Sequence, residues 1–135
     1  MKENDIRYIQ RFENYEKSFL LLKEALSLKS PTIFEKAGII QFFEMTFELS
    51  WKLLKDYLQE EGYNVKSPRD AIKTAFSVEL IDEGGLWLEA LKDRNLTTHT
   101  YEEDVALEIE KKIKNEYFRL LESLYNTFKE KICTD

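Results

Sequence analysis

One cysteine, one histidine, two prolines and four glycines are scarce features in a chain of 135 residues. A single thiol, Cys133, excludes an internal disulfide, and nothing around it marks a thiolate nucleophile, so a reducing compartment is the default. One His and one Cys cannot supply the several ligands of a zinc site, so no metal is expected. Few prolines and glycines leave helices few places to break. No run reaches the 18 or so apolar residues a membrane span needs, and the opening MKENDIRYIQ is no secretory signal. A cytoplasmic protein with no membrane segment is therefore expected. A basic surplus is missing too: 20 Lys and Arg stand against 26 Asp and Glu, a net charge of −6. That argues against a wide basic face for duplex nucleic acid but leaves room for a local phosphate site.

What is abundant is helical pattern. Hydrophobic residues make up 43% and aromatics 13%, enough for one domain, residues 1–135, with its own core. Tyr8, Phe12, Tyr15, Phe19, Leu22 and Leu26 alternate steps of four and three, one face of a helix. That helix should end near Leu28, because Pro31 disfavours helical backbone in the residue before it. Ser30-Pro31 reads as the next start, Ser capping and Pro tolerated in the first turn. The second helix then runs to Gly62 and is apolar round most of its circumference, from Ile33 and Phe34 to Trp51 and Leu58. Such a helix is expected to be central in a bundle and covered by a partner as well.

Ser67-Pro68-Arg69-Asp70 begins a short helix to about Phe76, and Asp82 can cap another around Leu86, Trp87, Leu88 and Leu91. Thr100 and Glu103 fit a capping box for the last helix. Its apolar side holds Ala106, Ile109, Ile113, Tyr117, Leu120, Leu124 and Phe128. No segment alternates with period two for long. The expected class is all-α: an antiparallel up-and-down bundle, four-helix-bundle-like, with short extra helices between the second long helix and the last.

The lone imidazole falls within 94-RNLTTHTYEED-104. In a continuous helix Arg94 and His99 would point about 140° apart. A helix break between them lets both side chains reach one pocket, since five residues span at most roughly 17 Å. The free N–H groups of a following helix suit an anion, although Glu102, Glu103 and Asp104 weaken that attraction. The plain structural alternative has Arg94 paired with Asp93 or Glu89, with Thr97, Thr98 and Thr100 as ordinary helix-start residues and Tyr101 as packing. Other chemistries fall away. A di-iron bundle needs Glu-x-x-His pairs, and Leu96 stands three before His99. Gly84-Gly85 lacks the Lys and spacing of a phosphate loop. On the second helix Glu44 is an inward carboxylate and a candidate supporting acid, while Glu48 is most simply an ion pair with Lys52.

Arg94-Asn95-Leu96-Thr97-Thr98-His99-Thr100-Tyr101 resembles the R-x4-H-x-Y pattern of HEPN-domain proteins. The phrases FEKAGIIQFFEMTFELSWKLLKDYL, SPRDAIKTAF and LKDRNLTTHTY resemble, in order, one branch of that superfamily, the nucleotidyltransferase substrate-binding proteins. The likeness covers roughly residues 6 to 130. It implies a helical bundle that forms a homodimer, and a minimal nucleotidyltransferase as cognate partner. It further implies a metal-independent ribonuclease toxin, silenced by nucleotidylation of the motif tyrosine, here Tyr101. The alternative within the same resemblance is a non-catalytic substrate-binding subunit of a two-component nucleotidyltransferase.

The residue types suit cleavage of RNA without a cofactor. His99 titrates near neutrality and can move protons at the 2′-OH or the leaving 5′-oxygen. Arg94 offers a planar fork for the phosphorane's oxygens, and Asn95 and Thr98 can add hydrogen bonds to phosphate. One His cannot easily serve as both acid and base, and a symmetric dimer would supply the second. Lys66, Arg69, Lys73 and Lys92 are candidates for a local basic patch beside Arg94.

Overall fold

The chain forms helices in the segments where the sequence places them, and the computed structural model shows how they pack. It describes residues 3–97 and 102–133, with side chains from residue 7 onward. The helices are α1 Glu3–Leu26, α2 Ile33–Glu60, α3 Pro68–Ser77, α4 Gly84–Asn95, α5 Glu103–Lys112 and α6 Phe118–Cys133. A π turn over Ile113–Tyr117 joins α5 to α6. Among the described residues there is no strand.

Residue pairing fixes the directions. Arg11 meets Asp56 and Ser18 meets Thr46, so α1 and α2 are antiparallel. Tyr8 meets Phe128 and Phe19 meets Phe118, so α6 also opposes α1. Phe47 packs on Trp87 while Glu48 bonds Arg94, so α4 lies against the middle of α2. The result is an up-and-down bundle of α1, α2, α4 and the α5–α6 helix, with α3 as a short extra helix packed on α2 and α4. Its core is aromatic: Tyr15, Phe19, Phe43, Phe47, Tyr117 and Phe128 are at most 1% exposed. Each such side chain contributes about 1.5–3 kcal/mol by leaving water. The buried hydroxyls are paired, Ser18 with Thr46 at 2.7 Å and Tyr15 donating to the Leu121 carbonyl at 2.7 Å.

Helix ends follow local chemistry, with three departures from expectation. Ser30 does not start α2. Thr32 does, because its hydroxyl accepts from Glu35 N–H at 3.1 Å while Glu35 accepts from Thr32 N–H at 2.8 Å. That reciprocal box satisfies two otherwise unpaired donors, which Ser30 with Pro31 behind it cannot match. Asp82 does not cap α4. Glu83 takes the cap position in a left-handed conformation at φ 53°, its carboxylate held by Arg119 at 2.7 Å. The next residue must then be small: a Cβ on Gly84 would lie 2.8 Å from the Phe76 ring. The third departure concerns the last helix, which begins at Glu103 with Glu102 as cap; Thr100, expected to cap it, lies outside the described residues. Glu103 and Asp104 in the first turn favour the helix dipole instead.

Ser67 caps α3 as expected, accepting from Asp70 N–H at 3.1 Å. Gly62, at φ +96°, stops α2, with Tyr63 N–H bonding the Leu58 carbonyl and Gly62 N–H the Gln59 carbonyl. α1 ends at Leu26, slightly before the position set by Pro31 alone. The π turn has a cause in the apolar spacing. Ile109, Ile113 and Tyr117 are all buried at successive steps of four, which outrun a 3.6-residue period. One wider turn absorbs the surplus and keeps all three facing the core.

Candidate functional site

α4 stops at Asn95, where Leu96 N–H closes the last turn on the Asp93 carbonyl at 3.0 Å. The break expected between Arg94 and His99 is therefore present. Thr98, His99, Thr100 and Tyr101 lie outside the described residues. The site can be built from its α2 and α4 sides.

Arg94 does not pair with Asp93 or Glu89. Its Nη2 donates to Glu48 Oε2 on α2 at 2.7 Å, and its Nη1 to Asn95 Oδ1 at 3.3 Å. Asn95 thus touches Arg94 directly. Arg94 Nε is buried and finds no acceptor among the described residues. The Arg94 and Glu48 side chains are 30% and 32% exposed, so the pair sits at the rim of the bundle. Glu48 is also more than a partner for Lys52. Lys52 Nζ lies 3.5 Å from Oε1, while the Trp51 indole N–H donates to Oε2 at 3.1 Å.

One turn earlier on α2, Glu44 is brought to the same segment. Thr97 Oγ1 lies 3.0 Å from Glu44 Oε2 and 2.7 Å from the Arg94 carbonyl. Thr97 is buried, so it is a tether at the end of α4 and not a helix-start residue. Glu44 and Glu48 together moor the chain just before Thr98.

Asp93 and Glu89 serve the opposite side of α4. Buried Asp93 accepts a hydrogen bond from the Tyr117 hydroxyl and faces Lys112 at 3.5 Å. Burial holds the Tyr117 hydroxyl far above its ordinary pKa, and its bond to Asp93 pushes in the same direction. Lys112 also donates to Glu89 at 2.9 Å, and that bond raises the ammonium's pKa. The π turn supplies Tyr117, and Lys112 immediately precedes it. The last turn of α4 is thus gripped from α2 through Arg94 and from the α5–α6 helix through Asp93.

Sequence reading named Arg94, Asn95 and Glu44 as candidates and did not single out Glu48, Thr97, Asp93 and Tyr117, which the structure places around the end of α4. A usable signal existed for Glu48: Glu44, Glu48 and Trp51 share one face of α2, which a simple Lys52 pair leaves unexplained. Among the described residues no group of three or more His, Cys, Asp or Glu is placed to hold a metal ion.

Residues 10–130 match the family model described as nucleotidyltransferase substrate binding protein like. The chain belongs to that family. The resemblance read from the motif and its two companion segments is borne out by this match. A probable ribonuclease HepT of Haemophilus influenzae is 33% identical over 78 residues, 54% of this chain and 53% of that protein. The chain thus matches about half the length of this curated relative. A crystal structure of a Thermus thermophilus protein superposes with a TM-score of 0.78 at 40% identity, covering 83% of this chain and 96% of that one. The family membership rests on the match over residues 10–130, and the solved structure shares the fold. Among the described residues no helix is long and apolar enough to cross a membrane.

Proposed function

We propose that this family member is a metal-independent ribonuclease, the toxin of a toxin–antitoxin pair whose antitoxin is a minimal nucleotidyltransferase. The observation that carries the reading is the half-exposed Arg94 guanidinium at the last turn of α4, moored on two sides, with the His99 segment following at once. Likeness to a probable ribonuclease supports it. Arg94 binds the scissile phosphate and the charge that develops on it, and His99 moves the proton. Asn95 and Thr98 add hydrogen bonds to phosphate, with Glu44 as supporting acid through Thr97. Tyr101 receives the nucleotidyl group, which adds bulk and negative charge to the motif that holds Arg94 and blocks RNA.

The active form is a homodimer, because one His per chain needs a second copy to supply both acid and base. A groove of about 650 Å³ between α2 and α5 suits that contact, lined by Ile33, Lys36, Ile40, Glu103, Leu107 and Glu110. Ile33 in its lining and Phe34 next to it in the chain are 77% and 85% exposed, apolar surface of the kind the second helix was expected to offer a partner. Lys36 on one wall and Glu103 with Glu110 on the other let two copies pair charges across a two-fold axis. An Ile33→Glu, Leu107→Glu variant should run as a monomer in light scattering and lose cleavage.

The deciding experiment expresses the chain with and without its neighbouring gene. Wild type alone should arrest growth and fragment RNA. Arg94→Ala and His99→Ala should not, and the co-expressed nucleotidyltransferase should protect and add AMP mass to Tyr101. Intact RNA with wild type, together with stable co-purification of the two proteins, would favour the non-catalytic substrate-binding subunit. Salt should weaken RNA binding steeply, because Lys66, Arg69, Lys73 and Lys92 are all exposed near the α3–α4 side.

A further inference from the structure

The contact between Arg94 and Glu48 is unusual for a phosphate-binding arginine, because it places an acid where only cations would improve binding. The surroundings explain it. Glu48 is set by its own helix before Arg94 is considered: Trp51 N–H, three residues on, fixes Oε2 at 3.1 Å, and Lys52, four residues on, lies 3.5 Å from Oε1. Arg94 then docks on this prearranged carboxylate at 2.7 Å, the length of a charge-assisted bond. Its other contact is a long one, 3.3 Å to its neighbour Asn95, and its Nε has no acceptor among the described residues. Glu48 is therefore the strongest described tie on a guanidinium that would otherwise sample many rotamers.

We propose that Glu48 is a positioning residue for the reaction, acting through Arg94, with Trp51 as the group that fixes Glu48. This rests on the ribonuclease reading given above. Glu48 holds one Nη2 hydrogen and Asn95 one Nη1 hydrogen, which leaves one hydrogen on each nitrogen for phosphate oxygens. Because it is an anion, it does not help RNA to bind. It limits the orientations of Arg94 and so acts on turnover.

That division gives the test. In Glu48→Ala, kcat should fall on the order of tenfold to a hundredfold, the usual cost of a misplaced catalytic group. KM should stay level or drop, since one negative charge leaves the RNA site. Glu48→Gln keeps an acceptor in the same place and should recover most of the loss. Trp51→Phe should lower kcat severalfold alone and add little on top of Glu48→Ala, as expected for residues acting in series. Nitrogen-15 NMR of the arginine side chains gives a readout independent of cleavage. Restricted rotation should separate the Arg94 Nη signals in wild type and in Glu48→Gln, and they should merge in Glu48→Ala.

Unchanged kcat in Glu48→Ala while Arg94→Ala is inactive would overturn the positioning role and leave the ribonuclease reading intact. A loss that Glu48→Gln does not relieve, matched by an equal fall in folded protein, would overturn it in favour of plain stability. If Arg94→Ala cleaves like wild type, the ribonuclease reading fails. The NMR comparison still decides whether Glu48 orders Arg94, and unmoved Nη signals in Glu48→Ala would sink that as well.

Discussion

Tyr117 and Tyr125 stand on the same long helix, and each gives its hydroxyl to a carboxylate, yet the two bonds do different things. Tyr125 donates to Glu16 at 2.6 Å on the seam between α1 and α6. There the fold is carried by stacked rings: Phe19 lies 4.8 Å from Tyr125 and 5.3 Å from Phe118, centroid to centroid. The polar pair merely rims that stack. Tyr117 donates inward to buried Asp93, next to Arg94. At that end of α4 the polar bonds anchor the helix terminus from two sides. Burial makes the difference: a hydrogen bond open to water exchanges with solvent at little net gain, whereas a buried acceptor that loses its donor suffers desolvation without compensation.

The largest expected effect tests the seam. Phe19→Ala should cost about 3–5 kcal/mol in urea unfolding, because it empties a site that is 1% exposed. Cleavage per folded molecule should not change. If it did, the seam and the site would be coupled and the contrast between them would break down. Next comes Arg94→Ala, which should lower kcat/KM on the order of 10²–10³-fold with little change in melting temperature. Its half-exposed pair with Glu48 contributes modestly to folding.

Tyr117→Phe should destabilise by about 1–3 kcal/mol in thermal or urea unfolding, since among the described residues Asp93 then keeps the more distant Lys112 alone. Tyr125→Phe at the rim should cost less than half as much, and equal costs would refute the distinction. The smallest effect depends on pH. The Tyr125 hydroxyl, and secondarily Lys129, hold Glu16 below its ordinary carboxylate range. A depressed folded pKa contributes stability above the unfolded value near 4.3, and that stability disappears as pH falls through the folded pKa. Wild type should therefore exceed Glu16→Gln by at most about 1 kcal/mol at pH 6, and the gap should narrow as pH falls below the unfolded value and close once it has passed the folded pKa.

Much of the bundle was legible because its signals are local. The four-and-three spacing of Tyr8 to Leu26 drew α1, Ser67-Pro68 started α3 and Gly62 closed α2. Boundaries failed where two local candidates competed. Thr32 outdid Ser30 by having Glu35 at the right distance, and Glu83 displaced Asp82 in a turn shaped by the Phe76 ring and by Arg119, 36 positions away. The site was half legible. Arg94, Asn95 and Glu44 were singled out by residue type and spacing, but Glu48 was assigned to Lys52 because a helix-neighbour pair is visible in sequence and a partner 46 positions away is not.

The sequence by itself determined the helices, the family and the string that holds Arg94 and His99, because periodicity, capping and motif spacing all act within a few residues of chain. Only the tertiary structure decided that α4 packs against α2 with Glu48 beneath Arg94 and Glu44 beneath Thr97. It likewise decided that a π turn would swing Tyr117 onto Asp93. Those contacts depend on how three helices cross, which follows from burial of the shared aromatic core and not from any neighbouring residue.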